Sequence, residues 1–244
     1  MDAKACSGEF GEQGVIYMKK FWSYIENGRY CVGCTGQAVY VYDKDGNELA
    51  KFKDLPYAYT PAFSPSGDFF IVKTTEGRLA VYATETLSLI KKFRYSKVDY
   101  SQDDGFCFSL DGKYFINLER HGDSTCNGIS IYNTADFSCV SHMLLDKNMG
   151  VSQIEAADGE YFVLGFMRGG EYLEFFVGKF ADGEVKDLLQ ISQQEHDLYD
   201  KYLRLKANGF TDKAYQWSYC KMPLEKIKSA DFSLAKLWKH YTDN

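Results

Sequence analysis

The sequence has no basic run longer than the pairs Lys19-Lys20 and Lys91-Lys92, and its formal net charge is −6. Binding to a phosphate backbone draws on clustered Lys and Arg, so no nucleic-acid partner is expected. No stretch approaches the roughly 20 consecutive apolar residues that a membrane-spanning helix needs, so no membrane partner is expected either. The segment from Met1 to Gly14 holds three acidic residues and no apolar core, and it does not read as a secretory leader. Seven cysteines, an odd number without framework spacing, point to reduced thiols and a cytoplasmic setting.

Motifs of chemistry are equally sparse. There is no Gly-x-Ser-x-Gly, no His-Glu-x-x-His, and no phosphate-binding glycine loop followed by a helix. His121, His142, His196 and His240 are dispersed, and none has metal-ligand spacing. Asp103-Asp104 reads as solvated loop charge. Cys31-Val-Gly-Cys34 has the spacing of a redox or metal pair, but it falls on an apolar strand. Residues i and i+3 of a strand point to opposite faces, and no second Cys pair completes a tetrahedral set. No nucleophile, base and oxyanion site assembles. The expectation is therefore no catalytic residue, no metal and no cofactor.

Aromatic side chains are what the sequence does have. Tyr, Phe and Trp make up 16% of it, with 19, 18 and 3 residues. Tyr and Phe favour pleated, half-buried positions, so the balance points to sheet. At 244 residues the chain sits at the upper end of one domain, and a single domain spanning 1–244 is expected.

Four segments repeat a common pattern: Phe21 to Tyr30, Phe63-Ser-Pro-Ser-Gly-Asp-Phe69, Phe108-Ser-Leu-Asp-Gly-Lys-Tyr114 and Ile154 to Tyr161. Each is an apolar strand end, a short turn, a glycine, a charged residue, then an aromatic that opens another strand. The glycines are Gly28, Gly67, Gly112 and Gly159, and spacings of about 40–50 residues belong to propeller blades. Behind each corner come a second apolar strand, a third such as Ala38 to Asp43 or Leu79 to Ala83, a tight turn, and a fourth strand. The repeats run over about 14–54, 55–97, 98–147 and 148–190.

On these residues the chain resembles the Trp-Asp-repeat and TolB-like β-propeller superfamily. Phe63-Ser-Pro-Ser-Gly-Asp and Phe108-Ser-Leu-Asp-Gly-Lys are close to that group's Phe-Ser-Pro-Asp-Gly-Lys turn, and Val41-Tyr42-Asp43 stands where Val-Trp-Asp is usual. The resemblance covers about residues 14–190. It departs in lacking a Gly-His pair and a Trp-Asp dipeptide, and its fourth repeat is degenerate. The expected fold is all-β: four recognisable four-stranded blades, with C-terminal helices. The alternative is an antiparallel sandwich.

The closing segment, 191–244, changes character. Ser192-Gln-Gln-Glu195 forms a capping box for a first helix, with Gly209 as its stop. Leu234, Leu237, Trp238 and Tyr241 share one face of a second helix over Asp231 to Tyr241. Between them, Lys213 to Met222 alternates like a strand. Pairing of that strand with Val15 to Met18 would make a mixed fifth blade; otherwise the helices would cover the open edges of a four-blade arc.

Propeller topology implies that strand two-to-three loops and inter-blade loops open on one face. Those loops are the longer and chemically richer set, and Tyr and Arg are favoured in binding hot spots. Tyr57, Tyr59, Tyr95, Tyr100, Arg120, His121 and Arg168 are the expected partner-binding residues, with packing over the blade tops as the alternative role. The expected function is a non-catalytic protein-protein interaction module acting as monomer or homodimer, with an inhibitor or immunity-type binder as a narrower version. The alternative is an enzyme or small-ligand binder that uses a central channel.

Overall fold

The computed structural model describes residues 20–95, 105–109, 111–121, 126–144, 150–168, 172–181, 184–207, 225 and 232–243. Over these the chain makes four four-stranded antiparallel sheets, each with its strands in sequence order. The first holds β1 (Ser23–Glu26), β2 (Tyr30–Cys34), β3 (Val39–Asp43) and β4 (Glu48–Phe52); the second β5 (Ala58–Phe63), β6 (Phe69–Thr74), β7 (Arg78–Ala83) and β8 (Leu89–Arg94). The third holds β9 (Phe106–Phe108), β10 (Tyr114–His121), β11 (Cys126–Asn133) and β12 (Cys139–Leu144). The fourth holds β13 (Gly150–Asp158), β14 (Tyr161–Arg168), β15 (Tyr172–Ala181) and β16 (Glu184–Ile191). Helices α1 (Gln193–Ala207) and α2 (Leu234–Thr242) follow. The expected all-β, propeller-like class is what the chain adopts.

The repeated glycines are the corners of these sheets. Gly28, Gly67, Gly112 and Gly159 all have positive φ, between 60° and 82°, each in the hairpin between a first and a second strand. That region costs an L-residue roughly 1–2 kcal/mol, which explains why glycine recurs there. The serines of the pattern have a matching job. Ser64 Oγ and Ser109 Oγ accept the backbone N–H of Phe69 and Tyr114, at 3.3 and 2.9 Å. In the first sheet Asn27 Oδ1 substitutes, accepting from Arg29 and Tyr30.

A second repeated device has no sequence signature. In every sheet the pairing of third and fourth strands slips by one residue at the same place, leaving Leu49, Ile90, Val140 and Lys186 without an opposite number. Just after each slip along the third strand stands Tyr42, Tyr82, Tyr132 or Phe180. Such bulges sharpen strand twist and blunt sheet edges against further pairing. Phe180 thus puts the degenerate fourth repeat in register with the others.

The chain divides into two compact units, Met1–Asp104 and Gly105–Asn244. In the first, Val32, Cys34, Val39 and Val41 of one sheet share a core with Phe70, Val72, Ala80 and Tyr82 of the next. The Tyr82 ring stacks on Phe52 and Phe70 at centroid distances of 4.3 and 5.2 Å. In the second unit, Ile116, Leu118, Ile129 and Ile131 share a core with Phe162, Leu164, Phe176 and Phe180. Each such side chain, fully buried, contributes about 1.5–3 kcal/mol.

The C-terminal helices pack on the face of the fourth sheet. Leu203, Leu234, Leu237 and Trp238 cover Val163, Phe175 and Val177. The arrangement is face-on. The proposed fifth-blade strands, 213–222 and 15–18, lie outside the described residues, as does Gly209. The capping box forms as expected, with Glu195 N–H donating to Ser192 Oγ and Ser192 N–H to Glu195 Oε2. Helix α2 starts later than Asp231 because Ser233 is still extended and acts as its N-cap. Among the described residues no helix is long and apolar enough to cross a membrane.

Candidate functional site

Strands that pair in sequence order place the one-to-two and three-to-four turns at one end of a sheet and the two-to-three turn at the other. In the first unit that other end is tied together through Tyr57. Its N–H donates to Gly36 O at 2.6 Å, and its O accepts from Thr75 N–H at 3.1 Å. Gly36 N–H in turn donates to Ala58 O at 3.1 Å. The two-to-three turns of both sheets, at Gly36 and at Thr75, are therefore held by one residue of the connecting segment.

Holding this position forces Tyr57 to φ 59°, the left-handed region. Its side chain recovers little by burial, being 54% exposed. Among the described residues, the other two non-glycine residues in that region behave differently. Phe137 is only 6% exposed, and Leu87 packs against the core of the first unit. Both occupy the turn between a third and a fourth strand, in the second and third sheets.

Trp22 is the other exposed aromatic here, at 50%, and sequence reasoning passed over it because contact residues were sought only in the loops. Its N–H donates to Cys34 O at 2.8 Å and its indole Nε1–H to Thr35 O at 3.0 Å. The indole lies over Gly36: a Cβ on that glycine would stand 3.3 Å from Nε1. Gly36 is thus touched by the indole of Trp22 and by the backbone N–H of Tyr57.

The remaining expected residues divide. Tyr59 is the bulged residue of β5, half-buried, and its carbonyl accepts from Ser23 Oγ. Tyr95 is half-buried; its N–H donates to Gly77 O at 2.9 Å, and the ammonium of fully buried Lys73 lies 5.1 Å from its ring centre. Tyr100 lies outside the described residues. Arg120 and His121, expected in a glycine-rich loop, belong to the end of β10, paired with Asn127 and Cys126. Arg168 likewise ends β14 opposite Tyr172. These three are in the second unit.

A buried polar group on the third sheet was not anticipated. Glu119, 3% exposed, has its Oε2 within hydrogen-bonding distance of His142 Nε2, at 3.1 Å. Burial first, then the charge of Glu119, pushes the Tyr132 hydroxyl up. Asn117 is fully buried, and neither of its amide atoms has a hydrogen-bond partner among the described residues. His196 is also buried, its ring 4.4 Å from that of Phe175. Among the described residues no three His, Cys, Asp or Glu side chains come together as a metal site. Cys31 and Cys34 sit in separate core clusters on opposite faces of their sheet, and burial pushes the Cys34 thiol far up.

No protein-family model matches the sequence, and no curated protein matches it. Solved structures do resemble the fold. Hydrazine synthase of Kuenenia stuttgartiensis aligns over 68% of this chain and 51% of its own, with 15% identity and a TM-score of 0.54. The dihydro-heme d1 dehydrogenase NirN aligns over 69% and 34%, with 17% identity and a TM-score of 0.51. KlHsv2 with loop 6CD replaced by a Gly-Ser linker aligns over 70% and 59%, with 14% identity and a TM-score of 0.53. The chain spans between a third and three fifths of the length of these structures, and likeness at such identity shows the fold alone. That fold is the all-β propeller type.

Proposed function

We propose that the protein is a non-catalytic protein-protein interaction module whose contact residues lie at the two-to-three ends of its sheets. The observation that supports this reading is Tyr57, an exposed aromatic kept in a costly conformation with its backbone polar groups already engaged. Strain held at an exposed side chain is found where a binding geometry is fixed in advance. We assign Tyr59, Tyr95 and Tyr100 to the contact residues of the first unit, and Arg120, His121 and Arg168 to those of the second. We assign the repeats to the Trp-Asp-repeat and TolB-like type on their Phe-Ser-x-x-Gly corners, and the setting to the cytoplasm.

The test is affinity capture with the full chain, against a variant carrying Tyr57→Ala, Tyr100→Ala and Arg120→Ala together. The expected result is loss of the captured partner at an unchanged Tm. Undiminished capture overturns the assignment.

A further inference from the structure

In the second and third sheets the corner acceptor is a serine hydroxyl; in the first it is the side-chain amide of Asn27, with Gly28 directly after it. An amide one residue before a glycine has a reaction open to it that a hydroxyl lacks. The next backbone nitrogen attacks Cγ, and closing that five-membered ring needs the backbone freedom that glycine supplies.

The reaction asks for an uncommitted nitrogen, an electrophilic carbonyl and access for water, and this corner shows all of them. Gly67 and Gly112 donate their N–H to Ser64 O and Ser109 O, both at 2.9 Å, and Gly46 donates to Asp43 O at 3.1 Å. The N–H of Gly28 has no such acceptor among the described residues. Asn27 Oδ1 accepts from the backbone N–H of Arg29 and of Tyr30, at 3.1 and 3.0 Å. Two donors on one carbonyl oxygen draw electron density from Cγ and stabilise the charge that forms on Oδ1 during attack. Asn27, Gly28 and Arg29 are exposed, and nothing stands within 4 Å of where a Cβ on Gly28 would be.

Asn127-Gly128 shares the dipeptide but not the setting. Gly128 is buried in β11 and paired with Glu119 on one side and Leu144 on the other, so its N–H belongs to the ladder. A third pair, Asn208-Gly209, lies outside the described residues.

We propose that Asn27 is a self-modification site, at which the folded chain converts the amide to aspartate or isoaspartate. The Gly28 nitrogen gives its proton to water and bonds to Cγ; the Cγ–Nδ2 bond breaks, and Nδ2 takes up a proton and leaves as ammonia. Water then opens the cyclic imide at either carbonyl. Opening at Cγ gives aspartate, whose carboxylate still accepts from Arg29 and Tyr30. Opening at the Asn27 carbonyl carbon gives isoaspartate, which routes the main chain through the side chain and removes the acceptor from the corner. One water enters, one ammonia leaves, and nothing is oxidised or reduced. The site is in the turn between β1 and β2, at the other end of the first sheet from Gly36, and does not depend on the interaction-module reading.

The test holds the full chain in heavy-oxygen water at mildly alkaline pH, with and without urea, and then digests it with trypsin in ordinary water. Mass spectrometry with fragmentation reads oxygen label at Asn27, in the peptide Phe21–Arg29, and at Asn127 in its own peptide. In the folded chain the label should enter at Asn27 roughly tenfold faster than at Asn127. In urea Asn127 should speed up until the two rates converge, because the dipeptide is the same and only the fold separates them. An Asn27 that keeps its amide in the folded chain, equal rates in the folded chain, or a difference that survives in urea each overturns the proposal.

Discussion

Ser109 Oγ accepts the backbone N–H of Tyr114 at 2.9 Å and donates to Asp111 Oδ1 at 2.6 Å, so one buried hydroxyl closes the corner of the third sheet. Ser64 does the same for Phe69, with a longer bond of 3.3 Å. Replacing Ser109 by Ala should cost about 1–2 kcal/mol, because a donor inside the corner loses its acceptor. Ser64→Ala should cost less. Urea unfolding of the two variants checks the order, and a larger loss at Ser64 would contradict the assignment of the corner to this bond.

Two glycines within strands carry a different load. A Cβ on Gly33 would lie 2.6 Å from the Phe21 ring, and one on Gly178 would lie 2.4 Å from the Phe162 ring. Both rings are fully buried, so neither can swing into solvent without loss of burial. Gly33→Ala and Gly178→Ala should each destabilise by about 1–3 kcal/mol through overpacking. A smaller neighbour, Phe21→Leu, should restore part of the Gly33→Ala loss. A double-mutant cycle in urea reads the coupling, and strict additivity would argue against the contact.

The legibility of this fold in its sequence follows the same division. Gly28, Gly67, Gly112 and Gly159 were readable because positive φ favours glycine over every other residue type, and the Ser-x-x-Gly spacing because a hydroxyl must reach a fixed amide. The bulges at Leu49, Ile90, Val140 and Lys186 were not, since a bulge needs only an extra residue and accepts any side chain. Tyr57 stood out by its residue type, but its strain came from pairing with Gly36 and Thr75, residues 21 and 18 positions away in the chain. Trp22 lies inside the first repeat segment, Phe21 to Tyr30, and was missed because contact residues were sought only in the loops. Arg120 and His121 looked like loop residues because of the following glycine, yet β10 and β11 pair as far as Arg120 with Asn127 and His121 with Cys126.

Glu195 links the two C-terminal helices. Its carboxylate accepts from Ser192 N–H and Oγ–H at the start of α1 and from the Tyr241 hydroxyl of α2. Burial works against the charge, but the bonds from Tyr241 and Ser192, with the nearby His240, outweigh it and hold the carboxyl below its usual range. A depressed pKa contributes stability above the unfolded value, near 4.3, and that contribution is lost as pH falls through the folded value. The docking of α2 should therefore weaken below about pH 4.3. Tyr241→Phe should flatten that acid-side loss and leave behaviour near pH 7 changed by only about 1 kcal/mol. Emission from Trp238, isolated by Trp22→Phe and Trp217→Phe, follows the helix; an unchanged acid limb in Tyr241→Phe would remove the link.

The last prediction sets the three strained residues against one another. Glycine relieves positive φ wherever it is placed, a gain of roughly 1–2 kcal/mol, offset in part by extra freedom in the unfolded chain. At Phe137 the substitution also deletes a ring that is 6% exposed, and losing a buried Phe costs about 3–5 kcal/mol. Phe137→Gly should thus be destabilising by about 2–4 kcal/mol in balance. Leu87→Gly should lie in the same direction with a smaller size, because Leu87 is only partly buried. Tyr57→Gly should reverse the sign, since a ring that is 54% exposed contributes little packing and the strain is all there is to recover. Thermal unfolding of the three variants gives the answer directly. A Tyr57→Gly variant that unfolds well below the parent would mean that the ring supports the fold, and that its conformation is not kept for a partner.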